Sequence, residues 1–159
     1  MKKLIILYIF IFIVFLNKLF ANPFEYSQST LQAAYFIFDV TINGQNINSQ
    51  DWVGAFCNDT CVGGTQWNTT ECGSGVCSIS VMGDNGDNST EGYCSYGDEV
   101  QFKIYDESEQ LYYNAIASDN FSWENNGFYQ ISNLFSEINI EWEDCPSCYQ
   151  FTATISGVV

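Results

Sequence analysis

The sequence predicts an all-β fold, an antiparallel β-sandwich of about seven to nine strands that follows an N-terminal signal peptide. Two observations support this prediction. Apolar and polar residues alternate along several segments, which is the period of a strand with one buried face. Gly, Asn, Ser and Asp separate these segments at short intervals, and no helical period of ten or more residues follows the leader. Many short strands joined by turns are typical of a sandwich.

Residues 1–21 have the layout of a secretory signal peptide. Lys2 and Lys3 precede an unbroken apolar run of 13 residues from Leu4 to Leu16, and the segment ends on the small residue Ala21. A membrane anchor is the alternative, and an uncleaved leader would be the one expected link to a membrane. A spanning helix needs about 20 apolar residues. Because Lys18 interrupts the run too early, cleavage is favoured.

The charge balance disfavours several functions. Removing 21 of the 159 residues leaves 138, with 19 acidic groups against the single cation Lys103, so the net charge falls from −15 to −18. Without clustered Lys or Arg we expect no nucleic-acid partner. The chain has no His to act as a general base or zinc ligand. Acidic residues are too abundant to single out a catalytic pair, so we do not expect an enzyme.

Apolar and polar residues alternate strictly in three longer segments, and the apolar residues of each segment are predicted to lie on one buried face. These faces are Phe36, Phe38, Val40 and Ile42; Val100, Phe102 and Ile104; and Ile138, Ile140 and Trp142. Shorter strands are predicted at Trp52–Phe56, Cys61–Thr65, Val76–Val81, Leu111–Ala115 and Phe128–Ile131. Turn residues occur at Asn43-Gly44, Gly63-Gly64, Gly83–Asp87 and Asn126-Gly127.

One sandwich domain is predicted over residues 22–143. Residues 144–159 contain a Cys-Pro linker and the alternating segment Tyr149–Ile155. This segment either closes the sandwich or begins a truncated second domain, and the linker favours the second interpretation. Nothing in the sequence indicates an oligomeric state.

Seven cysteines follow the leader, and in an oxidising compartment we expect them to form disulfides. They are Cys57, Cys61, Cys72, Cys77, Cys94, Cys145 and Cys148. Spacing suits the pairs Cys72–Cys77 and Cys145–Cys148, but the full connectivity stays open and one cysteine is left over. Two alternatives are disfavoured: a zinc site from the first four cysteines, and a redox dithiol at Cys145–Cys148, which a strand follows rather than a helix.

The acidic loop 83–92 is the best metal candidate. Its hard oxygen donors suit Ca²⁺, although the spacing is not that of an EF-hand. The candidate ligands are Asp84, Asn85, Asp87, Asn88 and Glu91. A solvated turn between strands is the favoured alternative, so no cofactor is required and Ca²⁺ is an optional ligand.

A carbohydrate site is predicted where aromatic residues flank a polar turn. Trp123, Asn125, Asn126 and Tyr129 are the candidate ligand-binding residues, with Phe128 between them. Aromatic rings can stack on sugars while amides bond hydroxyl groups, although packing explains most aromatic residues in a sandwich. Four Asn-X-Ser/Thr sequons also occur, at Asn58, Asn68, Asn88 and Asn120. In a eukaryotic secretory protein they would be glycan acceptors, whereas in a bacterial protein rich in Asn and Thr they arise by chance, which is the interpretation we favour.

Several short motifs resemble a known type of module. They are Asp51-Trp52-Val53-Gly54-Ala55-Phe56, Cys61-Val62-Gly63-Gly64, Val81-Met82-Gly83-Asp84, Gly97-Asp98-Glu99 and Phe102-Lys103-Ile104-Tyr105-Asp106. Over residues 24–135 the chain resembles secreted β-sandwich modules of large bacterial surface proteins of marine and Bacteroidetes type. The resemblance implies a non-catalytic extracellular module, often found beside adhesion, carbohydrate-binding or protease domains, with no catalytic residues to transfer.

The function expected from the sequence is therefore extracellular binding or adhesion by a secreted module, with a glycan or surface protein as partner. An acidic structural module stabilised by Ca²⁺ is the alternative. An unrecognised extracellular hydrolase is a third hypothesis.

Overall fold

The computed structural model describes residues 22–137, and within this range the protein is all-β. The eight strands are β1 (Gln32–Ile42), β2 (Gln45–Asn46), β3 (Trp52–Cys57), β4 (Thr60–Gln66), β5 (Cys77–Met82), β6 (Gln101–Asp106), β7 (Leu111–Ala117) and β8 (Phe128–Ser136). Two 3₁₀ turns, Gly73–Gly75 and Asn88–Thr90, are the helical elements of this range. None of its helices is long and apolar enough to cross a membrane. The predicted signal peptide, the Ile138–Trp142 face and segment 144–159 lie outside the described residues.

The strands form one curled sheet in the order β2-β1-β8-β7-β6-β3-β4, and β5 pairs with β1 beside β2. Most neighbours are antiparallel, but β1 and β8 run parallel from Ala34↔Phe128 to Ile42↔Ser136. The expected purely antiparallel arrangement is therefore wrong, and the sheet is mixed. Strands this far apart in sequence are not joined by a hairpin, so no turn dictates their relative direction. The sheet curls as a half-barrel rather than separating into two sheets.

The predicted turn at Gly63-Gly64 is wrong, because both residues lie inside β4. A side chain on Gly63 would overlap the carbonyl of Ser80 in β5, so glycine allows β4 and β5 to approach each other. The turn before β4 is instead Asn58-Asp59, with φ of 47° and 65°. Asn43-Gly44, with φ of 52° and 74°, is confirmed as the turn between β1 and β2. Two left-handed residues suit such two-residue hairpins.

The core lies on the concave side of the curled sheet. The inner face predicted for β6 is confirmed. Val100, Phe102 and Ile104 are all buried. They pack with the inner side chains of the other strands, including Val53, Ala55, Ile79 and Ile131, each 0% exposed.

The face predicted for β1 is wrong in its first half. Tyr35 and Ile37 are buried, whereas Phe36 and Phe38 point outward and Phe38 is 52% exposed. Beyond Phe38 the alternation shifts by one residue, and Val40 is again buried. Four consecutive apolar residues, 35–38, fit either face equally well, so alternation alone does not decide which face is inside.

Within residues 22–137 two disulfides are present, Cys57–Cys94 and Cys72–Cys77, with Cα–Cα distances of 5.4 and 5.0 Å. The second confirms the pairing suggested by spacing. The alternative zinc site, formed by the first four cysteines, is wrong, because Cys57, Cys72 and Cys77 are in disulfides. Cys61 is the free thiol of the described range, and burial raises its pKa. Cys145 and Cys148 lie outside that range.

The first described residues, 22–24, lie across the outer surface of β3 and β4. Phe24 is 2% exposed, and a side chain on Gly54 would come within 2.5 Å of its ring. The Phe24 ring makes edge contacts with Phe56 and Tyr112. The Tyr112 hydroxyl donates to the Pro23 carbonyl at 3.1 Å. A phenyl ring therefore covers a groove that small residues leave open.

Candidate functional site

Trp123 does not form the exposed stacking surface predicted for it. Its side chain is 3% exposed, and its indole Nε1 donates to the Val81 carbonyl at 3.0 Å. A side chain on Gly83 would overlap the indole ring. Trp123 is therefore a core residue, and its ring has no free face for a sugar in this conformation.

The other predicted ligand-binding residues attach the turn before β8 to β1. Asn125 Oδ1 accepts the Gln32 N–H at 3.1 Å. Asn126, with φ of 62°, donates its backbone N–H to the Gln32 carbonyl at 2.8 Å. Tyr129 is half-buried between the rings of Tyr35 and Phe121, at centroid distances of 4.7 and 5.0 Å. Asn126 lines a depression on the surface.

That depression belongs to an outer surface formed by three neighbouring strands, which we call the Phe128 face. Its outward side chains come from β5, β1 and β8, and they are Ser78, Ser80, Gln32, Ala34, Phe36, Phe38, Phe128, Gln130 and Ser132. Ala34 lies between Ser80 and Phe128, and Phe36 lies between Ser78 and Gln130. Because side chains on one face of a sheet stand side by side, these residues form a continuous surface.

Phenylalanine rings dominate the Phe128 face. Phe128 is 76% exposed and Phe38 is 52% exposed. The Phe36 and Phe128 rings are stacked, with centroids 6.4 Å apart and planes inclined by 14°. Large apolar side chains grouped on an outer surface are typical of a binding site rather than of ordinary exposure.

Polar groups adjoin the Phe128 ring at the depression. This shallow hollow has a volume of about 240 Å³, and Gln32, Ser80 and Asn126 line it together with Phe128. Gly127 forms part of its wall, where a side chain would come within 2.6 Å of the Tyr129 ring. Amide and hydroxyl groups therefore lie beside an exposed aromatic surface.

The Phe128 face carries no ionisable side chain, although the chain has a net charge of −15. The nearest acid in sequence is Asp39, which follows Phe38 at the end of the face. A ligand on this face therefore meets aromatic, amide and hydroxyl groups rather than charge.

A larger cleft of about 470 Å³ lies on the outer surface of β6 and β7. Its lining includes Lys103, Asp59 and Glu99, so charges of both signs are present. Lys103 Nζ lies 4.6 Å from the centre of the Phe56 ring. Because the cleft mixes both signs of charge, it indicates no single class of ligand.

In the predicted calcium loop, side-chain oxygens accept hydrogen bonds from other groups of the same loop. Asp84 Oδ1 accepts the Gly86 N–H at 2.8 Å, and Asn85 Oδ1 accepts the Asp87 N–H at 3.0 Å. The buried Thr90 hydroxyl also donates to Asn85 Oδ1 at 2.7 Å. Over residues 22–137 no group of three or more acidic or cysteine side chains is arranged to hold a metal. Calcium binding by this loop, including Asn88 and Glu91, stays a prediction.

Comparison with known proteins found no matching family model, no matching curated protein and no matching solved structure. The resemblance to bacterial surface modules therefore stays a prediction.

Sequence reasoning placed Phe128 beside the predicted sugar-binding turn, but it did not predict that Phe36 and Phe38 point outward on the same face. The usable signal was the position of Phe128 directly after Asn126-Gly127, where an aromatic residue follows a turn.

Proposed function

We propose that this protein is a secreted, non-catalytic binding module whose Phe128 face binds a neutral extracellular carbohydrate polymer. The observation that carries the proposal is an uncharged aromatic surface in an acidic chain. In this proposal the curled sheet serves as the scaffold that holds the Phe128 face in place, and the leader directs the chain to export.

The chemistry of the face favours a sugar. One side of a pyranose ring presents C–H groups, which pack on an aromatic ring, while its hydroxyl groups bond to amides and hydroxyls at the rim. Phe128 offers the exposed ring, and Gln32, Ser80 and Asn126 surround the adjoining hollow. The breadth of the three strands suits a polymer better than a single sugar unit.

Charge favours a neutral polymer over an acidic one. The net charge of −15 repels polyanions, and the Phe128 face offers no cation to offset that repulsion. Uronic-acid polymers and sulfated glycans are therefore expected to bind poorly.

Export is supported by the cysteines. The two disulfides Cys57–Cys94 and Cys72–Cys77 fit an extracellular protein, because reducing compartments keep most thiols free.

Affinity gel electrophoresis tests the proposal. The full chain is run through native gels that contain a neutral polymer (β-glucan, xylan or mannan) or the acidic polymers alginate and polygalacturonate. We expect retardation by at least one neutral polymer and by neither acidic one. Phe128→Ala should weaken binding about 10-fold or more, equivalent to about 1.4 kcal/mol.

Leu111→Ala is the matched control, because Leu111 is 51% exposed but lies on β7, away from the Phe128 face. Its retardation should equal that of the unaltered protein. The proposal is wrong if no neutral polymer retards the protein, or if Phe128→Ala and Leu111→Ala behave alike. Retention on a surface protein with no glycan response would favour protein adhesion instead.

A further inference from the structure

The aromatic rings of the Phe128 face follow the direction of β1. Phe128 and Ser80 lie on either side of Ala34. Phe36 comes two residues further along β1, and Phe38 comes two residues after that. At about 3.3 Å per residue in a strand, the first and last of these levels are roughly 13 Å apart. A ligand aligned with β1 therefore passes three rings, whereas a ligand that crosses the strands at one level meets a single ring of this face.

Polar side chains lie on both sides of this line of rings. Ser78 of β5 and Gln130 of β8 are exposed beside Phe36. Ser132, the next outward residue of β8, is exposed near Phe38. Their hydroxyl and amide groups can bond to the hydroxyl groups of a sugar chain that covers the rings. The arrangement thus offers apolar contacts along the centre of the ligand and polar contacts along its edges.

The curvature of the sheet also favours a ligand that runs along the strands. The core lies on the concave side, so the Phe128 face lies on the convex side. Across the strands, a curled sheet turns away from a straight ligand, whereas a single strand stays extended along its own length. The planes of the Phe36 and Phe128 rings are inclined by 14°, so both rings have almost the same orientation. A stiff, flat chain suits such a surface better than a coiled one.

We propose that the Phe128 face binds an internal stretch of an extended, ribbon-like glycan of the cellulose, xylan or mannan type, laid along β1. This inference rests on the proposed function and specifies the class of polymer. Successive sugars of an extended chain can reach Phe128, Phe36 and Phe38 in turn. A coiled glycan of the amylose type curves away from a convex surface and loses the outer rings. Because the hollow beside Phe128 is shallow and does not enclose a ligand, a free chain end is not needed.

Calorimetric titration of the full chain with oligosaccharides tests the class of polymer. The probes are cellohexaose, xylohexaose and mannohexaose, and maltohexaose represents the coiled class. We expect at least one extended hexasaccharide to bind about 10-fold or more tightly than maltohexaose and than its own disaccharide. A disaccharide that binds too weakly to measure also meets this expectation. Equal affinity for maltohexaose, or for the disaccharide, would overturn the inference.

Substitutions of two rings test the direction of the bound chain. Phe38→Ala removes the ring furthest from the hollow, so it should weaken hexasaccharide binding about 5-fold and leave disaccharide binding unchanged. Phe128→Ala should weaken the binding of both ligands. Leu111→Ala, on β7, is the control and should change neither. An unchanged hexasaccharide affinity in Phe38→Ala would show that the chain does not lie along β1.

Failure of this inference can be distinguished from failure of the proposed function. If no neutral polymer retards the protein in the affinity gel, the proposed function is wrong, and this inference is wrong with it. If retardation depends on Phe128 but amylose retards the protein as strongly as the extended polymers do, only the inference is wrong.

Discussion

Trp123 lies directly over Gly83, and its indole Nε1 donates to the Val81 carbonyl at 3.0 Å. The ring occupies the space that a side chain at position 83 would need. Through this contact the segment that precedes β8 is held against the end of β5. Both β5 and β8 contribute side chains to the Phe128 face. The residue predicted to bind a sugar therefore supports the candidate surface from inside.

Gly83→Ala should destabilise the protein by about 1–3 kcal/mol, because the new methyl group would overlap the Trp123 ring in a well-packed core. Urea unfolding followed by tryptophan fluorescence measures the change. Gly73→Ala is the control, since nothing lies within 4 Å of a side chain there. Equal stability of the two variants would contradict the close packing of Gly83 and Trp123.

Phe24→Ala should lower the free energy of unfolding by about 3 kcal/mol, because it empties the groove above Gly54. Phe38→Ala removes an equally large side chain that is 52% exposed, and it should change the free energy by about 0.5 kcal/mol at most. Chemical denaturation of both variants gives the comparison. A mild effect at Phe24 would mean that residues 22–24 do not stay on the sheet in solution.

Asp51→Asn should destabilise the protein by about 1–3 kcal/mol. The Asp51 carboxylate is 1% exposed and accepts the N–H groups of Asn48 at 2.6 Å and Glu107 at 3.0 Å. An amide in its place directs an NH₂ group at one of these donors. Asp39→Asn, at an exposed position, is the control for the change in net charge. Thermal unfolding that shifts equally in both variants would argue against a specific role for Asp51.

The two disulfides should contribute unequally to stability. Cys57–Cys94 spans 37 residues and Cys72–Cys77 spans 5. On the chain-entropy model, the disulfide that closes the longer loop stabilises the folded state by about 3.8 kcal/mol, and the one that closes the shorter loop by about 2 kcal/mol. Replacing each pair by Ala and measuring unfolding in urea tests the order. A larger loss from the shorter loop would show that packing, rather than loop closure, dominates.

The protein should lose stability in alkali between about pH 10 and pH 12. Burial raises the pKa of Tyr35, and the hydrogen bond to Glu109 raises the pKa of Tyr113 to about 12. Above pH 10 the unfolded chain loses these protons while the folded chain retains them, so the unfolded state gains stability as pH rises. Urea midpoints should be level up to about pH 9 and fall beyond it.

Tyr35→Phe should make that fall shallower, because the buried hydroxyl no longer titrates. Burial also raises the pKa of Tyr105 and of Tyr129, so part of the fall should persist. An unchanged slope in Tyr35→Phe would show that Tyr35 is accessible to hydroxide in the folded state.

Strand positions could be predicted well from the sequence, because alternation is a local property. The segment Trp52–Phe56 corresponds to β3 (Trp52–Cys57), and Val100, Phe102 and Ile104 are buried as predicted. The turn at Asn43-Gly44 was also predictable, since few residues adopt the backbone it needs.

The candidate site could be predicted only in part. Asn126 and the neighbouring Phe128 were visible as a polar turn beside an aromatic residue. The role of Trp123 was not, because its burial depends on Gly83, 40 positions earlier in the chain. The outward direction of Phe36 was also hidden, because apolar residues occupy every position from 35 to 38.

By itself, the sequence determined which segments extend, where tight turns occur, and that closely spaced cysteines can pair. These features depend on neighbours within a few residues. The tertiary structure alone decided that β1 and β8 run parallel and which face of β1 is buried. It also decided that Gly63 needs to be small because β5 lies against it, and that Gly83 needs to be small because the Trp123 ring lies against it. Each depends on contacts between residues far apart in the chain, and such contacts leave no periodic pattern in either segment.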